Sequence, residues 1–216
     1  MGFFFGEHVL GGGSHGGVTV DNCVKKCFNS CMEQTKIDIK ILKDDLKTPV
    51  DEQTKSNAIY VENSKFSYTV SKIKLSGKYN LVYTVVSNFI SLTTKRVIVD
   101  NDWLLICLFK EIAVINLKEN KAYKVVKFEC YELFGIFKFK TGYFVHGELD
   151  NRFLDKDFNV LWEKGCCDIF FNSKVKKDLE IFEDYIVAWD WYGYKHYYNE
   201  SGEFKTEHYP EYRMSD

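Results

Sequence analysis

Short apolar runs alternate with polar breaks along the second half of the chain, and the pattern recurs. Residues 96–126 read RVIVDNDWLLICLFKEIAVINLKENKAYKVV, residues 137–163 read FKFKTGYFVHGELDNRFLDKDFNVLWE, and residues 180–207 read EIFEDYIVAWDWYGYKHYYNESGEFKTE. Each holds an apolar strand, a polar break, a second strand, a turn rich in Asn, Asp, Glu or Gly, and a third strand. The turns are marked by Asn116, Asp155 and Asn199, spaced 39 and then 44 residues apart. Short strands repeating at such a period predict propeller-like or meander units. Upstream, AIYVEN, KFSYTVSKIKL and YNLVYTVV are short runs rich in β-branched and aromatic residues, with Ser76-Gly77 as the turn between the last two. Lys140-Thr141-Gly142, Asp157-Phe158-Asn159 and Glu200-Ser201-Gly202 each separate two apolar runs, as hairpin turns do. Proline is absent from 50 through 209, in keeping with strands that need every backbone N–H in a ladder.

The N-terminal part reads differently. Residues 1–17 join an aromatic cluster, Phe3, Phe4 and Phe5, to a glycine tract that resists regular structure. Those three phenylalanines are expected to dock on their own domain or on another chain. Asp21 is an N-cap candidate, and Val24, Cys27, Phe28 and Cys31 recur at helical spacing, which predicts a helix over 21–34. Ile37, Ile39 and Ile41 alternate with Asp38 and Lys40. The period of two favours a strand, Leu42 breaks it, and a frayed helix stays open as the alternative. Residues 47–57 are polar and contain Pro49, which sets a boundary between a segment 1–50 and a β-repeat domain 58–216. The fold class expected is all-β, mainly antiparallel, as propeller-like or stacked-hairpin repeats, with a short N-terminal helix. Four units over about 58–208 would make a minimal or incomplete ring, or hairpins stacked as a sandwich or barrel.

The lines FLDKDFNVLWE, DIFF and IVAWDWYGYKHYYNESGEF resemble blades of bacterial propeller-type repeat proteins of the WD or PQQ-like kind. In those blades a strand carrying Asp and a Gly- or Asn-containing turn precede an apolar strand. The resemblance covers about half the chain. Trp189-Asp190 is similar to the WD dipeptide, although the paired Gly-His of WD40 repeats is missing. The resemblance implies a protein-binding scaffold more often than an enzyme.

Charge refines this picture. Residues 141–216 hold 16 Asp/Glu against 9 Lys/Arg, a net of −7, while residues 1–140 hold 15 against 20, a net of +5; the sum is the chain's −2. An acidic C-terminal part argues against nucleic acid and fits a basic protein partner. No apolar run reaches the roughly 18 residues of a membrane-spanning helix. With no secretory signal visible and seven cysteines in no disulfide-scaffold spacing, reduced thiols and a cytoplasmic location are expected.

Three constellations could carry chemistry or binding. Cys23, Cys27 and Cys31 form one stripe of the expected helix; burial explains that spacing, and neither metal nor disulfide is expected there. Cys107 and Cys130 read as small buried hydrophobes, and Cys166-Cys167 as one inward and one outward side chain at a strand start. His146, Glu148 and Asp150 alternate in VHGELD, so on one strand all three would share a face and could bind a metal or perform acid–base chemistry. The segment from Trp189 to Tyr198 is the densest aromatic cluster. Val187, Trp189 and Trp191 would share one face, Asp190 and Tyr192 the other. Asp190, Trp191, Tyr192, Tyr194 and Tyr197, with Glu183 and Asp184, form the expected partner-binding face.

The reading is a non-catalytic protein-interaction module without a cofactor, of the kind of a bacterial inhibitor or immunity protein that binds a basic partner. A metal-dependent or hydrolytic enzyme using His146, Glu148 and Asp150 is the alternative of a different class. A self-assembling structural module is the third.

Overall fold

The computed structural model describes residues 38–44, 58–60, 68–88, 92–129, 132–166 and 168–215, and Ile37–Asp216 forms one compact unit. The Phe/Gly-rich start, the helix expected over 21–34, Cys130 and Cys167 lie outside the described residues. Four sheets follow one another in chain order. The first contains β1 (Asp38–Asp44), β2 (Ala58–Tyr60), β3 (Tyr68–Ser76) and β4 (Leu81–Asn88) in the order β1-β3-β4-β2. Its β2 runs parallel to β4, and its other pairs are antiparallel. The other three are antiparallel meanders. The second is β5 (Val97–Asp100), β6 (Trp103–Cys107), β7 (Glu111–Asn116) and β8 (Lys121–Lys127). The third is β9 (Leu133–Phe139), β10 (Gly142–Gly147), β11 (Asp150–Leu154) and β12 (Val160–Gly165). The fourth is β13 (Leu179–Ile181), β14 (Ile186–Trp189), β15 (Tyr194–Asn199) and β16 (Gly202–His208).

The sheets pack face to face, and strand alternation decides which side chain meets which neighbour. In β6, Leu104 and Ile106 join a cluster with Ile73, Leu75, Tyr83 and Val85 of the first sheet. Leu105 and Cys107 point the other way, into a cluster with Ile136, Tyr143, Val145 and Leu154 of the third. The third sheet repeats the scheme: Phe144 and Phe153 turn toward Ile186, Ala188 and Tyr198 of the fourth. Middle strands are therefore buried on both faces, whereas the last strands β8, β12 and β16 are largely exposed. The reading of Cys107 as a small buried hydrophobe agrees with its place in the second cluster.

A second tie recurs at the hairpin end of each junction. Asp102 binds Lys78 and Lys118, both at 2.6 Å, and accepts from the Tyr79 hydroxyl, joining sheets one and two. Asp100 accepts from Lys138 and Tyr143, each at 2.7 Å, joining two and three. Glu200 accepts from the Thr141 hydroxyl at 2.7 Å, and Lys140 meets Asp184 at 2.8 Å, joining three and four.

Each turn landmark occupies the same place, between the third and fourth strands of its sheet. Asn116 Oδ1 accepts from Lys118 and Glu119 N–H at 3.0 and 3.1 Å. Asp155 Oδ1 accepts from Asp157 and Asn159 N–H, both at 2.8 Å. Asn199 Oδ1 accepts from Ser201 N–H at 2.9 Å. These are Asx turns, the reason for that residue type there. One reading changes: each of the last three sheets has four strands instead of three, and in the second a tight turn at Asn101-Asp102, with Asn101 at φ 54°, splits the first apolar stretch. The stretch around Ile39 and Ile41, where the period of two favoured a strand over a frayed helix, is a strand that pairs with β3.

Candidate functional site

Among the described residues the fourth sheet packs its apolar core against the third, and its other face decides what the chain can present. Ile186 and Ala188 of β14 enter the core shared with the third sheet, so Val187 and Trp189 lie on the outer face. Register carries this across the ladder: Val187 pairs with Tyr197 and Trp189 with Lys195, and these pair with Lys205 and Glu207 of β16. The C-terminal tail covers one end, where Tyr209 and Tyr212 pack on Trp189 with ring centroids 5.3 and 5.2 Å away. Toward the other end the rings form a continuous row. Phe182 stacks on Tyr185 at 4.7 Å, Tyr185 meets Tyr197 at 6.0 Å, and Tyr197 meets Phe204 at 6.1 Å. Phe182 is 43% and Phe204 54% exposed.

Charged groups frame the row. The Tyr197 hydroxyl donates to Glu207 at 2.6 Å, and burial followed by this carboxylate pushes its pKa up to about 12. The Lys205 ammonium, then the Tyr197 and Tyr209 hydroxyls, draw the Glu207 carboxyl down to about 2. Lys195 lies 5.0 Å from the centroid of the Tyr197 ring, within cation–π reach. Both lysines on this face are thus engaged by its own groups.

The residues expected to form one binding face are dispersed. Asp190 is 1% exposed: its carboxylate accepts from Tyr194 N–H at 2.9 Å and pairs with His196 Nε2 at 3.1 Å. It pins the turn after β14 and is closed to any partner, which corrects its place on the face. Trp191 and Tyr192 stand in that turn and not in a strand, so the expected alternation stops at Trp189. Trp191 N–H donates to Ile169 O, and Arg213 lies over the Tyr192 ring at 5.1 Å. Gly193 takes φ +83°, and a Cβ there would lie 2.5 Å from Tyr209 O, so only glycine fits the turn. Tyr194 stacks on His208 at 4.3 Å. Glu183 and Asp184 lie in the β13–β14 turn, at the opposite end of β14, both exposed. Of the expected set, Tyr197 lies within the aromatic row and Glu183 and Asp184 beside it. Phe182, Tyr185 and Phe204 were not singled out by sequence. The signal for Phe182 and Phe204 was a phenylalanine among charged residues, in EIFEDY at the turn after β13 and in GEFKTE of the otherwise polar last strand.

His146, Glu148 and Asp150 do not share a strand face. Glu148 stands in the turn between β10, which ends at Gly147, and β11, which starts at Asp150. His146 faces the fourth sheet among Phe144 and Phe170, with Nδ1 2.7 Å from Asn151 Oδ1. Asp150 binds buried Arg152 at 2.5 Å, and Arg152 lies over Phe128 on the opposite side of the sheet. Glu148 accepts from Glu132 N–H. Among the described residues no three His, Cys, Asp or Glu side chains converge as metal ligands would. Cys166 packs into the core between the third and fourth sheets. No described helix is long and apolar enough to cross a membrane.

No protein-family model and no curated protein matches the chain. Solved structures similar to it include BamB from Moraxella catarrhalis, with a TM-score of 0.44 and 11% identity, covering 66% of this chain and 46% of that one. The computationally designed Ika8 protein is similar with a TM-score of 0.46 and 8% identity, covering 67% of this chain and 47% of that one. This chain therefore spans less than half the length of either. BamB is a PQQ-like β-propeller protein, the class the sequence resembles.

Proposed function

We propose that this chain is a non-catalytic protein-interaction module that docks a basic protein on the outer face of its fourth sheet. The observation that supports this reading is the row Phe182–Tyr185–Tyr197–Phe204, a continuous aromatic strip whose two ends are open to water. Aromatic side chains supply large buried area at interfaces, and an exposed apolar patch rimmed by polar groups is the form such surfaces take. Charge selects the partner. Residues 178–213 contain nine acidic side chains, from Asp178 to Glu211, against Lys195, Lys205 and Arg213, a net of −6; with buried Asp190 set aside and Lys140 and Lys177 paired to Asp184 and Glu180, the excess is −3. Lys195 and Lys205 already lie over rings or against Glu207, so the unbalanced charge is negative and favours a partner rich in Lys and Arg. An inhibitor of a basic enzyme, of the immunity type, is the form of module proposed.

The test starts with a photo-crosslinking amino acid at position 204, with position 161 on exposed β12 as the control. A protein crosslinked from 204 and not from 161 is then titrated against the purified chain. Phe204→Ala and Phe182→Ala are expected to weaken binding by about 2 kcal/mol each, mainly through faster dissociation. Added salt is expected to slow association, since the Debye length is about 8 Å at physiological ionic strength. Unchanged affinity in both variants would remove this face from the reading.

A further inference from the structure

A second feature lies away from the aromatic row, at the hub where the first strands of three sheets converge. The turn of 3-10 helix Thr94–Arg96 leads into β5, β9 supplies Phe134 and Phe137, β10 supplies His146 one residue before its end, and Leu179 opens β13. Together with Phe171, Asp178 and Thr93, these residues line a cleft of about 250 Å³. Three phenylalanines and His146 supply aromatic wall, the two cations Lys95 and Arg96 come from one short turn, and Asp178 is the acidic group of the lining. Gly135 sets the position of that turn: a Cβ there would lie 2.9 Å from Lys95 O, so the turn rests directly on β9.

Arg96 is only 7% exposed, and a guanidinium there needs acceptors. Among the described residues its Nη2 meets Glu132 Oε1 at 2.5 Å. Its Nη1 has no hydrogen-bond acceptor among the described residues. Leaving a buried charged donor unmatched costs free energy, and such groups call for an explanation. Lys95 is exposed at the same turn and brings a second cation. His146 closes the cleft from beneath, and burial holds its pKa below the ordinary value, so near neutral pH it adds no charge. Asp178 also lines the cleft and disfavours a second negative charge.

We propose that this cleft binds a small organic monocarboxylate with an apolar, preferably aromatic, body. The carboxylate sits against Arg96 and Lys95, and the body among Phe134, Phe137 and Phe171. A neutral isostere loses the charge-assisted hydrogen bonds, and a compact dianion meets Asp178 and gains nothing from the apolar walls.

The experiment is calorimetric titration of the full chain with 3-phenylpropionate, 3-phenylpropanol and inorganic phosphate. The carboxylate is expected to bind with one site per chain, the alcohol at least about tenfold more weakly, and phosphate not measurably. Lys95→Met and Phe171→Ala, both at exposed positions, are each expected to weaken the carboxylate several-fold, while Phe204→Ala on the outer face leaves it unchanged. Arg96→Gln is expected to abolish binding if circular dichroism shows the native fold; if it unfolds, the Lys95 and Phe171 variants decide alone. No saturation by 3-phenylpropionate, equal binding of the alcohol, tighter binding of phosphate, or full affinity in both exposed variants would each overturn the assignment.

Discussion

His146 sits 5.6 Å from the Phe134 ring and 6.0 Å from Phe170, and its neutral ring suits that enclosure. Asn151 Oδ1 can only accept, so Nδ1 carries the proton between them. Burial is the main cause that lowers its pKa, ahead of the opposing Asn151 bond and the nearby Asp178 and Lys95 charges. The unfolded chain, with an ordinary imidazole near pKa 6.5, therefore takes up the proton first as pH falls. Stability from this group is present above about pH 6.5 and declines below it, down to the folded pKa, by at most about 1.4 kcal/mol per pH unit. Urea midpoints measured from pH 7.5 to 5 are expected to fall for the native chain and to fall less for His146→Gln. Parallel slopes would show that other groups carry the acid response. Sequence spacing alone placed His146 in a reactive trio, because it assumed one strand where the chain turns.

At the scale of the element, local chemistry was legible. The three Asx turns lie where Asn116, Asp155 and Asn199 were singled out, since a short polar side chain that bonds the backbone two residues on is a property of sequence and turn alone. Asp155 is the most heavily used: besides two backbone N–H groups it accepts from Asn159 Nδ2 at 3.1 Å, and the same turn holds Phe158 at φ 62°. Asp155→Ala is expected to cost about 1–3 kcal/mol in chemical denaturation, with Asp155→Asn closer to native. An alanine variant of native stability would mean that packing of Phe158 holds the turn by itself. The alternation expected through Trp191 failed because a strand's period ends where its turn begins. Buried Asp190, with bonds to Tyr194 and His196, sets that end.

At the scale of the molecule, each junction combines an apolar cluster with a polar tie, and neighbours depend on neighbours. Phe144 is fully buried between the third and fourth sheets, 5.7 Å from Tyr198 and 6.2 Å from Trp162. Phe144→Ala is expected to destabilise by about 3–5 kcal/mol. Hydrogen exchange is expected to rise most in β10, β14 and β15 and least in β3 and β4, because the lost contacts lie at one junction. A uniform rise over all four sheets would show that the stack opens as one unit instead. The outer face of the fourth sheet follows from the same arrangement. Among the described residues no apolar cluster covers it as the other junctions are covered, so its aromatic row stays open at Phe182 and Phe204.

The sequence by itself determined the class, the period and the turns: β-branched and aromatic runs, Asx landmarks and the absence of proline act within a few residues of where they stand. The sequence also carried the charge split that separates an acidic last sheet from a more basic beginning. Tertiary structure decided what each side chain faces. WLLIC and GYFVHG show no apolar–polar alternation because sheets pack on both of their faces, and a run apolar throughout does not say which residue meets which neighbour. Asp190 is acidic in sequence and buried in space, while Phe182 and Phe204 are apolar in sequence and open in space. Burial is a relation between segments distant along the chain, and only their packing sets it.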